Sequence, residues 1–255
     1  MIPHARTILR SLAGVGLIAA FTVGASTQST FSVDPLLIDL TAQTTNAVLT
    51  ITNPTAKDIS FEIKPFAWDQ VPPDGAMQLT PTTDIVIFPP LASVKAHSMQ
   101  RIRVGTTLTP GPVEKPYRIL IEELPGAAAP PGANQVNVRT RIGVPVFIES
   151  RNPVAQGRIE SVSVAGRVVS VVLANTGNTH SMVDDVVIRG MAAPDHIVFE
   201  DSLQGWYLLA GKRRTWTYTF KPAQCRPSKY VEIEVYDNDK MLTSRADIPA
   251  GTCTP

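Results

Sequence analysis

The chain has 255 residues, 23 Lys plus Arg against 22 Asp plus Glu, and 44% hydrophobic content, enough for one large domain or two of ordinary size. Its near-neutral balance argues against a nucleic-acid partner held through phosphate. Beyond the first 25 residues no stretch is apolar enough to span a bilayer, so a soluble protein without stable membrane insertion is expected.

The N-terminus reads as an export signal. Arg6 and Arg10 make a basic start, "SLAGVGLIAAFTVG" is an uncharged apolar run, and small residues precede Ser26, the pattern of a cleaved signal peptide over residues 1–25. The run is shorter than the roughly 20 residues a membrane anchor needs. Cleavage after Ala25 removes two arginines and no acid, which takes the formal charge from +1 to −1.

From residue 31 onward short runs rich in Val and Ile recur: "AVLTITN", "SFEIKPFAW", "DIVIFPP", "SMQRIRV", "YRILIEEL" and "QVNVRTRIGVPVFI". Pro, Gly, Asn and Asp break them at the spacing of a β-sandwich. The last run is the longest. In it Val136, Val138, Thr140, Ile142, Val144 and Val146 share one side of an extended chain, directly after the Pro/Gly/Ala loop "PGAAAPPGAN". A second series begins at "RIESVSVAGRVVSVVLANTG" and runs through "SMVDDVVIRG", "DHIVFED", "GWYLLAGKRRTWTYTF" and "YVEIEVYDND". Each series is about 100 residues, the size of an immunoglobulin-like domain. No segment keeps a helical stripe over three turns. The expected fold is all-β, two immunoglobulin-like sandwiches over 26–150 and 151–255, divided at the polar "ESRNPVAQG". "TITNPTAKDISF" and "VLANTGNTHSMV" both put an Asn-containing turn after an apolar strand, as two copies of one fold would.

Catalytic chemistry is hard to assemble from these residues. His97, His180 and His196 have no ligand spacing. There is no Gly-rich phosphate loop and no G-x-S-x-G elbow, and the neighbours Asp184–Asp185 and Glu122–Glu123 point to opposite faces of a strand. A non-enzyme with neither metal nor cofactor is expected. In "GKRRTWTYT" the alternation sends Trp216, Tyr218 and Phe220 into a core, leaving Lys212, Arg213 and Arg214 over a turn. Cys225 and Cys253 are the only cysteines, and an oxidising compartment favours one disulfide between them.

The order "LTITNP", "FPP", "SMQRIRV", "EKPYRILIEELP" and then a long alternating strand, with "LLAGKRRTW" and "YDND" in the second half, resembles the periplasmic chaperones of the chaperone–usher pilus pathway, the PapD-like family. "TRIGVPVFI" is similar to the divergent branch that serves archaic and spore-coat-like subunits. The resemblance implies an L- or boomerang-shaped pair of sandwiches in the periplasm that binds pilus or fimbrial subunits lacking their final strand, lends them its G strand (about residues 134–148), and passes them to an outer-membrane usher. It implies donor residues at Val136, Val138, Ile142 and Val144, an interdomain ion network of Arg101, Glu114 and Asp237, and a cis bond at Phe88–Pro89, and it leaves self-association of the free protein open. The family's two carboxylate-binding cations fall here on Leu37 and Gly143, so Arg139 and Arg141 stand as the candidate anchor. An exported two-domain structural or adhesive pilus component is the alternative, though the short polar "STQSTFSVDP" is a poor donor segment.

Overall fold

The computed structural model describes residues 31–125, 139–238 and 240–253. Ten strands build the first half: β1 (Ser32–Asp34), β2 (Ile38–Leu40), β3 (Asn46–Asn53), β4 (Ile59–Val71), β5 (Ala76–Pro81), β6 (Ile85–Phe88), β7 (Leu91–Val94), β8 (Ser98–Thr106), β9 (Lys115–Glu123) and β10 (Arg141–Ile148). The two-residue period of their sequences decides which side chains turn inward. In β3, Leu49 and Ile51 are buried while Val48 is exposed and Thr50 half-buried. The order β1-β3-β8-β6 makes one sheet and β2-β10-β9-β4-β5 the other, with β7 added on β4. Both sheets feed one core, where Leu49, Ile51, Phe61, Ile102, Ile119, Ile121 and Val146 are fully buried. The peptide bonds Asp34–Pro35, Pro72–Pro73 and Phe88–Pro89 are cis.

The second half has β11 (Gly157–Ala165), β12 (Val168–Asn175), β13 (Ser181–Ala193), β14 (His196–Gln204), β15 (Tyr207–Leu208), β16 (Arg213–Thr219), the short helix α1 (Pro222–Cys225), β17 (Tyr230–Asp237) and β18 (Lys240–Asp247). Its sheets are β11-β12-β16 and β14-β13-β17-β18, with β15 on β13. A separate core forms around Val171, Val186, Ile188, Phe220, Val231 and Ile233. Trp216 is buried in it, and Tyr218 packs against it. Cys225 and Cys253 are bonded, 28 residues apart in sequence.

The two asparagine turns are built alike. Asn53 Oδ1 accepts from the Thr55 amide at 2.9 Å, and its Nδ2 donates to the Lys57 carbonyl at 2.7 Å and across to Val94 at 3.1 Å. Asn175 Oδ1 accepts from the Gly177 amide at 2.9 Å, and its Nδ2 donates to Thr179 at 2.7 Å and across to Leu208 at 2.9 Å. Both side chains are buried and satisfy backbone groups that a turn leaves without partners. The same local solution in both halves is what a duplicated sandwich looks like at one residue.

The sandwiches meet through side chains of both. Trp68, Phe147 and Leu209 are buried together, with Leu79 and Tyr207 against them. The His180 ring stacks on Phe147 with centroids 3.7 Å apart. Glu114, buried ahead of β9, accepts from the His180 amide and lies 2.9 and 3.0 Å from its Nδ1.

Candidate functional site

Strand β10 has two neighbours for only part of its length. Val146, Phe147 and Ile148 pair in parallel with Ile38, Asp39 and Leu40 of β2. Arg141 to Pro145 pair with Glu122 to Arg118 of β9 and, among the described residues, with nothing on the other side. That edge presents main-chain groups to whatever strand approaches it. Pro145 sits where the second partner ends, a position that suits a residue with no N–H to donate. Leu36 and Leu37, both exposed, lead into β2 at the same point. The edge therefore opens beside an apolar lip.

The alternating row divides along its length. Val144, Val146 and Ile148 are buried in the home core, while Ile142 is half-buried and packs at its margin. Val144 is 0% exposed, which removes it from the expected donor set: its side chain already fills its own sandwich. Val136 and Val138 lie outside the described residues. The apolar face thus serves its own domain up to the margin at Ile142.

On the opposite face the structure brings forward a residue that sequence reasoning missed. Arg118, in the middle of β9 and flanked by both β10 and β4, is 8% exposed. Its guanidinium carbon lies 4.3 Å from the ring centre of Trp68 and 5.3 Å from that of Trp206, so one aromatic wall comes from each sandwich. Such contacts favour a cation but do not replace a counter-ion. No ion pair reaches Arg118 among the described residues, and both its Nε and the Trp68 Nε1 are buried donors without an acceptor. Burial pushes its pKa below the usual guanidinium range. Two unmet donors and an unneutralised charge in one cluster suit an anionic acceptor such as a carboxylate.

Gly143 explains how the arginine fits. A Cβ there would lie 3.3 Å from Arg118 Nη1 and 3.3 Å from Leu120 Cδ2. The space beside Gly143 is thus kept clear for a guanidinium arriving from the next strand. The signal was present in "YRILIEEL": Tyr117, Ile119 and Ile121 alternate inward, and Arg118 is the lone cation on the other face of a central strand.

The residues expected to form the anchor are elsewhere. Arg141 is exposed and pairs with Glu122 at 2.8 Å, and Arg139 is exposed beside them. Their side chains lie at the solvated end of the strand. The expected ion network does not form either. Arg101 is exposed on β8 opposite Thr50, Glu114 is taken by His180, and Asp237 is buried against Gly157 with one carboxylate oxygen lacking a partner. Among the described residues no ion pair joins the three. The joint is closed by ring stacking and a carboxylate–imidazole contact instead.

Residues 30–152 match the pili and flagellar-assembly chaperone family, PapD N-terminal domain. No curated protein matches the sequence. Among solved structures, the chain resembles one from the CsuC–CsuE chaperone–tip adhesion subunit pre-assembly complex of the archaic chaperone-usher Csu pili of Acinetobacter baumannii, at 17% identity and a TM-score of 0.58, covering 85% of this chain and 98% of that one. It also resembles a chain of the Salmonella enterica SafA pilin–SafB chaperone complex, at 13% identity and 0.56, covering 87% and 99%. The class 5 fimbriae chaperone CfaA matches at 13% and 0.53, covering 86% and 99%. Residues 30–152 are thus similar to the PapD N-terminal domain of pili and flagellar-assembly chaperones, and the chain shares the two-sandwich β fold of these solved structures.

Proposed function

We propose that this chain is a periplasmic chaperone that holds pilus or fimbrial subunits by pairing a subunit strand with the open edge of β10, and that it hands them to an outer-membrane usher. Export would follow from residues 1–25. The observation that carries the reading is the open backbone of Arg141 to Pro145 lying next to a buried cation without a counter-ion. An extended segment pairing along that edge gains main-chain hydrogen bonds, and alternate side chains give selectivity. Ile142, Val138 and Val136 would fill the subunit's incomplete core, each contributing about 1.5 to 3 kcal/mol before ordering costs.

Arg118 is the residue to which we assign the subunit's terminal carboxylate, in place of Arg139 and Arg141. The Trp68 Nε1 lies in the same cluster as a second unmet donor. The test is co-expression with a small pilus subunit that lacks its final strand. Val138→Arg and Ile142→Arg should leave the chain folded and lose the subunit on purification; undiminished recovery of the pair would remove strand pairing from the account.

A further inference from the structure

Strand β4 is longer than its sheet requires. Its residues Phe61 to Ala67 pair with β9, but Trp68 to Val71 continue outward and, among the described residues, pair with β5 alone. The resulting hairpin overshoots the first sandwich and grips the second. Gln70, 2% exposed, donates from Nε2 to the Tyr207 carbonyl at 2.7 Å and accepts the Leu209 amide at 2.9 Å. Its amide thereby completes the backbone pairing of β15 from another domain. The Thr215 amide of β16 donates to the Pro73 carbonyl at 3.0 Å. Asp69 pairs with Lys212 at 2.5 Å, and Gly75, at φ +67, lies against the Arg214 side chain, where a Cβ would meet Cγ at 3.0 Å.

These contacts fall on a strand that would otherwise be an edge. In the sheet β11-β12-β16, β16 pairs only with β12 among the described residues. The hairpin covers part of its free side, which also blunts it against unwanted pairing. The same hairpin begins at Trp68, one wall of the Arg118 cluster, and ends on Tyr207 and Leu209, next to Trp206, the other wall. Holding the arm in place therefore holds the two tryptophans at the arginine.

We propose that the β4–β5 hairpin is an arm that presets the angle between the sandwiches, with Gln70 as its positioning residue, so that the Arg118 cluster is formed before any subunit arrives. Preset geometry removes an ordering cost from binding. The consequence for subunit capture rests on the chaperone reading; the consequence for domain geometry does not.

The experiment attaches spin labels at Met99→Cys and Met241→Cys, exposed positions on the two sandwiches, and measures the interdomain distance distribution in the full chain. Gln70→Leu keeps the packing volume and removes both bonds; Gln70→Glu keeps the acceptor and loses the donor. One narrow peak is expected for the parent, with broadening in Gln70→Leu and partial broadening in Gln70→Glu. Co-expressed subunit recovery should fall about tenfold in Gln70→Leu if the competent geometry becomes a tenth as populated. A distribution as narrow in Gln70→Leu as in the parent overturns the arm. Broadening with full recovery of the subunit overturns its role in positioning the site. A parent chain that recovers no subunit counts against the chaperone reading while the distance measurement still decides the arm.

Discussion

Replacing Arg118 by Met separates binding from stability in a way few substitutions can. The guanidinium is nearly buried, lies over Trp68 and has no counter-ion among the described residues. Removing it forfeits a cation–π contact of about 0.5 to 2 kcal/mol and relieves the cost of a desolvated, unpaired charge, which is of similar size or larger. Met fills much of the same space, so the free protein should be as stable as the parent within about 1 kcal/mol. Binding should change sharply, because a charge-assisted hydrogen bond contributes about 1.5 to 3 kcal/mol, or about ten- to a hundredfold in Kd. The assay is a cycle: parent and Arg118→Met are each titrated with a peptide spanning a subunit's last strand, once as the free acid and once amidated at its C-terminus. The parent should prefer the acid by that factor, and the Met variant should show no preference. Arg118→Lys keeps the charge but not the fork and should fall between them. Equal acid preference in parent and Met variant would refute the assignment, and so would a loss of stability that accounts for the loss of binding.

Four further outcomes are expected. Arg139→Ala with Arg141→Ala should reduce acid preference much less than Arg118→Met, since Arg141 is already paired with Glu122 at the exposed end of β10; peptide titration ranks them. Replacing Cys225 and Cys253 by Ser opens a link between residues 28 apart and should cost about 3.5 kcal/mol by the chain-entropy relation, read as a lower denaturant midpoint. Burial raises the pKa of Asp237 in the folded chain, so its ionised form opposes folding, and stability should rise as pH falls through that raised value and stop rising below about pH 4; Asp237→Asn should be more stable than the parent at pH 7 and lose that advantage in acid, in thermal melts across pH. Phe147→Ala empties a fully buried ring from the joint and should cost about 3 to 5 kcal/mol, with the two sandwiches melting apart in calorimetry.

Much of the fold was legible because period-two alternation speaks directly about burial. Trp216 and Phe220 went inward as the "RRTWTYTF" pattern requires, and Asn53 and Asn175 mark equivalent turns. The site was less legible because it depends on neighbours that are distant in sequence. Val144 reads the same as Ile142 in the alternating row, and only the packing of the folded core separates them, with Val144 fully buried and Ile142 at the margin. Arg118 of β9 reaches the space beside Gly143 of β10, but adjacency across strands leaves no trace in either segment alone. Arg118 becomes visible only when Gly143 is seen to clear its path. The joint shows the same limit. The family resemblance implies a network of Arg101, Glu114 and Asp237, whereas Phe147 and His180, 33 residues apart, supply the stacking that is there.

The central claim is that the bare side of β10 is where a client strand adds. Amide hydrogen exchange over residues 141–148, compared between the free chain and its complex with a co-expressed subunit, tests it most directly. The account predicts strong new protection at the Arg141 and Gly143 amides, which point away from β9, with Val146 to Ile148 slow in both states. Equal exchange of those two amides in both states, in a complex that nonetheless forms, would contradict it.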